Sequence, residues 1–289
     1  MKTEVLPYIN IRPSFITQYV VSDLTRARSS AQIFSEKNLT ENKANPEVSA
    51  KAKKRIRQAI DWLLFGAKRK FVYDKYKNKT FSFKINFVTL TLSSEQKHSD
   101  NEIKSKLLNQ FLIEAKKRWH VNRYLWRAEA QKNGNIHFHI ATDVFIPYWE
   151  LNKVWNRIQN KLGYVDEFCK KFPGHTPNST DVHSVWKIRN ISAYLAGYCC
   201  KKSKNRAIEG KIWGLSTSLS CLKSCSVLCV DLAAHEFHFL RKKFLKKFHE
   251  FNYCSCLFVN VKEWANTGCN YLYNKLLNYV NPTKQTIIT

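Results

Sequence analysis

The stretch QKNGNIHFHIATD, residues 131–143, joins a turn signal to two histidines that flank a single phenylalanine. Together with the preceding segment RYLWRAEAQ it predicts a β-hairpin. Because successive side chains of a strand point to opposite faces, His137 and His139 share one face and Phe138 takes the other. Two imidazoles on one strand begin a divalent-metal site, which needs a third ligand.

The length of the hairpin turn decides whether Glu129 can be that third ligand. A three-residue loop, KNG, with Gly134 in the left-handed conformation, places Glu129 directly across from His137. A two-residue NG turn places Glu129 opposite Phe138, on the wrong face. The sequence allows both turns. We adopt the three-residue loop because it brings the carboxylate to the imidazoles, so this choice depends on the metal-site hypothesis.

The segments around the hairpin predict a domain of mixed strands and helices. FSFKINFVTLTL (81–92) is rich in aromatic and β-branched residues and predicts a strand, whose polar face carries Thr89 and Thr91. Apolar residues at helical spacing predict helices over about 100–119, after Pro147, and from Asn190 onward. This order predicts an α+β fold, in which helices cover an antiparallel sheet with a central HxH hairpin.

The two ends of the chain carry weaker patterns. Residues 1–50 predict a loosely structured arm, and a basic amphipathic helix follows over 50–68. Three cysteines, spaced four residues apart, suggest one buried helix face: Cys221, Cys225 and Cys229. We therefore predict a basic arm and helix over 1–80, a central domain over 81–220, and a mainly helical, basic region over 221–289.

The composition indicates an acidic partner. The 289 residues include 48 Lys and Arg against 22 Asp and Glu, a net charge of +26, with 13% aromatic residues. A folded, aromatic-rich and strongly basic chain is typical of nucleic-acid binders, although a lysine-rich coding bias contributes to the charge. The absence of a signal peptide and of long apolar runs, with nine cysteines, predicts a cytoplasmic protein and no membrane partner.

The segment YLAGYCCKK contains a second chemical pattern. Tyr194, Tyr198 and Lys201 are spaced i, i+4 and i+7, so they line one face of a helix. Tyrosines on a helix most often serve packing. A tyrosine hydroxyl is also a nucleophile, and a metal that binds a phosphate oxygen activates the phosphorus for in-line attack.

FVTLTL, GNIHFHI and YLAGYCCKK, in this order, resemble the three motifs of the HUH superfamily of rolling-circle replication initiators. The likeness is greatest to initiators of single-stranded DNA phages, namely microvirus replication proteins and the gene II protein of filamentous phages. NSTDVHSVWKIRNISAYL and KIWGLSTSL extend it, so it covers roughly residues 81–220. The resemblance implies an HUH endonuclease fold with an RRM-like core.

The resemblance also implies an activity: site-specific nicking and rejoining of single-stranded DNA. The nucleophilic tyrosine stays linked to the 5′ phosphate and releases a 3′ hydroxyl that primes replication. The motifs imply Mg²⁺ or Mn²⁺ on three ligands: His137, His139 and Glu129. Tyr198 matches the nucleophile, Tyr194 the other tyrosine of two-tyrosine members, and Lys201 the motif lysine. Gly197 departs from the lysine usual before the second tyrosine, which weakens the two-tyrosine interpretation.

The expected partners are single-stranded or supercoiled origin DNA and the host's replication machinery. The chain lacks a GxxxxGK[ST] phosphate loop, so a separate helicase and polymerase are expected. Lys187, Arg189 and Lys202 flank the predicted site and are candidate phosphate contacts. Two alternatives remain: a cupin-like oxygenase, because two histidines and a carboxylate also hold iron, and a DNA-binding protein without catalytic activity.

Overall fold

A computed structural model describes residues 7–20, 48–74, 78–184, 191–199 and 205–282 of the chain. Within them, twelve strands form three antiparallel sheets: β1 Pro7–Arg12, β2 Phe15–Val20, β3 Lys70–Asp74, β4 Lys79–Phe83, β5 Asn86–Thr91, β6 Tyr124–Ala130, β7 Ile136–Thr142, β8 Thr180–Ser184, β9 Trp213–Leu215, β10 Cys225–Leu228, β11 Phe248–Phe251 and β12 Cys254–Leu257. This confirms an α+β fold with antiparallel sheets.

The helices lie between and after these strands. The α-helices are α1 Ala50–Gly66, α2 Asp100–Ile103, α3 Asn109–Trp119, α4 Tyr148–Gln159, α5 Tyr164–Lys171, α6 Ile191–Cys199, α7 Thr217–Ser220, α8 Asp231–Lys243, α9 Val261–Trp264 and α10 Asn270–Val280. Short 3₁₀ turns follow α4 and α8, over Asn160–Leu162 and Leu245–Lys247. Of the helices that the structure describes, none combines the length and apolar character needed to cross a bilayer.

The chain forms two compact units. The larger unit comprises Ala44–Cys221, and the smaller one combines Met1–Lys43 with Leu222–Thr289. The larger unit is therefore inserted in sequence between β2 and β10. In the smaller unit the five-stranded sheet has the order β10-β1-β2-β12-β11.

The five-stranded sheet of the larger unit has the order β8-β5-β7-β6-β9, with the hairpin β6–β7 at its centre. Ile136 and Phe138 are fully buried on one face of β7. The ring of Trp155, on α4, meets Phe138 edge to face at 6.4 Å and Phe111, on α3, at 6.0 Å. Helices α3 and α4 thus bury this face, and the histidines lie on the other.

Two segments of the larger unit differ in detail from the prediction. The helix predicted over 100–119 is present, but residues Lys104–Leu108 form a π-helical segment within it. The single strand predicted over 81–92 is wrong, because the chain forms β4 and then β5 in different sheets. Lys84 and Ile85 separate the two strands, and the carbonyl of Lys84 accepts a hydrogen bond from Lys70 Nζ at 3.2 Å.

The predictions for the two ends of the chain require correction. Residues 7–20 form the hairpin β1–β2 instead of a loose arm, and the rest of 1–47 lies outside the described residues. The C-terminal region was predicted to be mainly helical, but it also contains β10, β11 and β12. The strands β1 and β2 pair with β10 and β12, so each stabilising partner lies about 200 residues away in sequence.

The cysteine periodicity does not mark a helix. Cys221 caps the C-terminal end of α7 and is exposed, Cys225 is buried in β10, and Cys229 follows that strand. The spacing of four residues therefore spans three different local structures, and the predicted buried helix face is wrong.

Candidate functional site

The turn between β6 and β7 is the three-residue loop. The amide of Gln131 donates to the carbonyl of Asn135 at 2.8 Å, and Gly134 has a φ of 87°. A positive φ of this size suits glycine because a Cβ atom would be strained there. In this register Glu129 stands directly across from His137, which confirms the predicted pairing.

Three side chains from this hairpin converge on one point. Nε2 of His137 and Nε2 of His139 are 3.1 Å apart, and Oε2 of Glu129 lies 3.8 Å from Nε2 of His137. One ligand atom from each of the three lies within 4.8 Å of the others. Among the residues that the structure describes, this is the one group of three or more His, Cys, Asp and Glu side chains with such spacing.

The donor atoms suit a divalent cation. An octahedral ion with ligands at about 2.1 Å holds neighbouring donor atoms about 3.0 Å apart, close to the separation of the two Nε2 atoms. Oε1 of Glu129 and Nδ1 of His137 are buried, and neither has a hydrogen-bond partner among the described residues. A bound cation would compensate the buried carboxylate. The residues therefore fit a metal.

The protonation states also suit ligation. Burial, and then the charge of His137, lower the pKa of His139 to about 3, so its imidazole is neutral at pH 7. Burial alone raises the pKa of Glu129, but contact with His137 and the charges of His139, Arg127 and His137 outweigh it, and the pKa is lowered. Both side chains are in the form that binds a cation.

Two neighbouring side chains orient these ligands. Thr89 Oγ1 lies 3.1 Å from Nδ1 of His139, which leaves Nε2 directed at the common point. Arg127 is 1% exposed, pairs with His139 across the sheet, and has Nε 3.8 Å from Oε1 of Glu129. The sequence pattern indicated the polar face of β5 but not the role of Arg127. Its position two residues before Glu129, and hence on the same face, was the available signal.

Helix α6 brings Tyr198 to the histidines. Its hydroxyl lies 2.8 Å from Nε2 of His139, and its ring meets Phe87 edge to face at 5.1 Å. Burial, and then the charge of Glu129, raise the pKa of Tyr198 well above its ordinary value, so the phenol is protonated at pH 7. Leu195 and Cys199 are buried on the same helix.

The other predicted site residues have different outcomes. The ring of Tyr194 is 6.3 Å from that of Tyr198 and is 42% exposed. Lys187, Arg189, Lys201 and Lys202 lie outside the described residues.

The hairpin loop is held by a polar network. Asn135 is buried, its Oδ1 accepts from the amide of Gln96, and its Nδ2 donates to the carbonyl of Ser94. Arg206 donates from Nε to the carbonyl of Gly134 at 2.6 Å and forms two hydrogen bonds of 2.7 Å with Asp100. These contacts fix the loop that sets the register of Glu129.

Replacement of Arg206 by alanine is expected to lower the free energy of unfolding by about 2 kcal/mol, because the Asp100 carboxylate, 1% exposed, loses its bidentate partner. Burial raises the pKa of Asp100, but the contacts with Arg206, Gln96 and Glu209 lower it overall. The unfolded chain then binds more protons in acid, so the difference from wild type shrinks below about pH 4. Urea unfolding measures both effects.

Arg118 provides the matched control, because it is 55% exposed and pairs with Glu114 one turn away. Arg118→Ala is expected to cost less than about 0.5 kcal/mol at every pH. Equal losses in the two variants would show that the Arg206 network does not support the loop.

A cleft of about 490 Å³ opens beside the ligands. Its walls include Glu129 and His137 and the loop residues Gln131, Lys132 and Asn133, with Asn205 opposite. Asn205 Nδ2 donates to the carbonyl of Ala130 at 2.9 Å. The cleft is large enough for a nucleotide and offers amide and ammonium groups to it.

Comparison with known proteins identifies one family. Residues 85–203 match the model of a family of replication-associated proteins, described by its members ORF2 and the gene II protein. This segment is less than half of the chain, and it contains the hairpin, the three candidate ligands and both tyrosines. The match confirms the resemblance to rolling-circle replication initiators and indicates a role in DNA replication. No curated protein and no solved structure gives a significant match.

Proposed function

We propose that this protein, whose residues 85–203 match the replication-associated family of ORF2 and the gene II protein, is a site-specific single-strand DNA endonuclease and ligase that initiates rolling-circle replication. The activity is assigned to residues 81–220. The observation that carries the proposal is the 2.8 Å contact between the Tyr198 hydroxyl and Nε2 of His139. It brings a nucleophile of the right chemistry beside three candidate metal ligands.

Glu129, His137 and His139 hold the cation in this proposal, and Mg²⁺ or Mn²⁺ is the expected ion. When bound, the ion polarises an oxygen of the scissile phosphate. Thr89 accepts a hydrogen bond from Nδ1–H of His139 and so keeps Nε2 free for ligation. Arg127 keeps the Glu129 carboxylate ionised and directed toward the histidines.

Tyr198 is the proposed nucleophile. Its attack forms a bond between the phenolic oxygen and phosphorus and breaks the bond from phosphorus to the 3′ oxygen. The phenol loses its proton, the 3′ oxygen gains one, and the products are a 5′-phosphotyrosine and a 3′ hydroxyl. Lys201 is assigned to the negative charge of the transition state, and Tyr194 to a second transfer that rejoins the strand.

The DNA contacts of the proposal combine charge and shape. Lys187, Arg189 and Lys202 are assigned to phosphates near the cut. The cleft beside Glu129 and His137 is assigned to a nucleotide that flanks the scissile phosphate. A separate helicase and polymerase of a bacterial host would extend the 3′ hydroxyl, and the reaction would take place in its cytoplasm.

The test is covalent capture of DNA. The purified chain is incubated with single-stranded fragments of its own replicon and Mn²⁺, then separated on a denaturing gel. The proposal expects an adduct with a blocked 5′ end, which is absent when EDTA is added or the fragments are double-stranded. Binding without an adduct would indicate the DNA-binding alternative, and metal-dependent oxygen consumption would indicate the oxygenase.

Replacement of Thr89 by valine is expected to weaken Mn²⁺ binding about tenfold, because His139 loses the hydrogen bond that orients it. Thr91→Val is the matched control: its hydroxyl lies on the same face but donates to the carbonyl of Ser179. Calorimetric titration with Mn²⁺ measures both affinities. Equal effects in the two variants would contradict the role assigned to Thr89.

A further inference from the structure

The sheet of the smaller unit has two faces of different character. Strand alternation places Ile9, Ile11, Ile16 and Leu257 on the first face, and all four are fully buried. Helices α8 and α10 contribute further buried side chains, among them Phe237, Leu240, Leu272 and Leu276. These apolar groups form the core of the unit.

The second face carries three rows of side chains that cross the sheet in register. The first row is Leu228, Tyr8, Tyr19, Cys254 and Phe251, and the second is Ser226, Asn10, Thr17, Cys256 and His249. The third consists of Arg12 and Phe15, with Phe258 beside them. We call these residues the aromatic face. All of them except Cys256 are half-buried or exposed.

The rings of the aromatic face offer flat surfaces. Tyr8 and Tyr19 stack with centroids 6.0 Å apart and an interplanar angle of 25°. Phe258 lies 6.0 Å from Phe15 and 5.5 Å from His249. Phe251 is 57% exposed and Phe258 is 49% exposed. Aromatic side chains of this exposure, gathered on one side of a sheet, indicate a binding surface.

The polar groups of the face indicate the charge of its ligand. The Arg12 guanidinium lies 5.0 Å from the centroid of the Phe15 ring. Arg12 Nε and Asn10 Oδ1 are buried atoms without a hydrogen-bond partner among the described residues. The three rows contain no acidic side chain, and residues 7–20 and 222–282 include nine Lys and Arg against four Asp and Glu. This surface complements a polyanion.

We propose that the aromatic face binds single-stranded DNA, apart from the site on the β6–β7 hairpin. Bases stack on Tyr8, Tyr19 and Phe251, and Arg12 contacts a phosphate. Stacking on aromatic side chains of an antiparallel sheet is a sequence-tolerant way to hold unpaired bases. A protein partner is less well matched, because hydroxyl, amide and guanidinium groups interrupt the apolar rings in every direction across the sheet.

The first test measures affinity without cleavage. A fluorescent 30-nucleotide oligothymidine is titrated with the full chain in EDTA, and anisotropy is recorded. Tyr19→Ala and Phe251→Ala are each expected to weaken binding about fivefold or more, and Arg12→Gln is expected to weaken it and reduce its salt dependence. The control is Tyr253→Ala, which removes a ring that is 90% exposed in the β11–β12 turn.

A second test does not depend on variant folding. Oligothymidine that carries 5-iododeoxyuridine is crosslinked to the wild-type chain by light, and the attached peptides are identified. Crosslinks within residues 7–20 or 248–258 are expected. Their absence, with unchanged affinity in the three variants, overturns the proposal. A change of oligomeric state in the variants also overturns it, because it identifies the face as a contact between copies of the chain.

The outcome is separable from that of the proposed nuclease. Nicking of a short oligonucleotide that spans only the cleavage site is expected to be unchanged in the Tyr19, Phe251 and Arg12 variants. A chain that fails to nick DNA but crosslinks through the aromatic face would retain this inference and lose the proposed function.

Discussion

Replacement of His139 by alanine is expected to remove divalent-metal binding and to slow DNA cleavage by on the order of 10³-fold. The imidazole is 5% exposed and neutral, with Nε2 directed at His137 and Glu129, so its loss leaves two ligands of three. A Lewis acid contributes several kcal/mol to phosphodiester cleavage, and about 4 kcal/mol corresponds to this factor. Calorimetry with Mn²⁺ measures binding, and single-turnover nicking measures the rate.

The matched control is His175→Ala, since His175 is an exposed histidine outside the hairpin. It is expected to bind one Mn²⁺ per chain and to cleave at the wild-type rate. Circular dichroism establishes that both variants are folded. If His139→Ala retained a stoichiometric Mn²⁺ site and full activity, the metal centre on β6 and β7 would have to be abandoned.

The hairpin was predictable because its determinants are local. Gly134 provides the left-handed residue of the turn, and strand alternation then fixes which side chains share a face. Even so, the choice between two turn lengths needed the assumption of a metal site. The position of Tyr198 over the histidines also required knowledge of where α6 packs, and helical spacing contains no such information. The likeness to known initiators supplied it.

The missed features depend on distant parts of the chain. The strand β1 pairs with β10, and the segment 7–20 alone has no partner that would reveal it as a strand. Arg127 was overlooked because a buried arginine in a strand is uncommon; its burial follows from the packing of β6 between β7 and β9. The aromatic face combines side chains from residues 8 to 258, so no single segment of sequence displays it.

Replacement of Tyr198 by phenylalanine is expected to abolish the covalent protein–DNA adduct, a loss on the order of 10⁴-fold or more. The substitution removes only the hydroxyl, which lies 2.8 Å from Nε2 of His139, and retains the ring that packs against Phe87. Mn²⁺ affinity should therefore change little, which separates loss of the nucleophile from loss of the metal. Denaturing electrophoresis with 5′-labelled and 3′-labelled strands measures the adduct.

Tyr194→Phe is the matched control on the same helix. Because its ring is 42% exposed and 6.3 Å from that of Tyr198, the variant should form the first adduct at close to the wild-type rate. A defect confined to strand rejoining would assign Tyr194 to the second transfer, despite the glycine at position 197. If adduct formation instead required Tyr194 and not Tyr198, the two roles would be reversed, and α6 would have to turn so that Tyr194 reaches the metal.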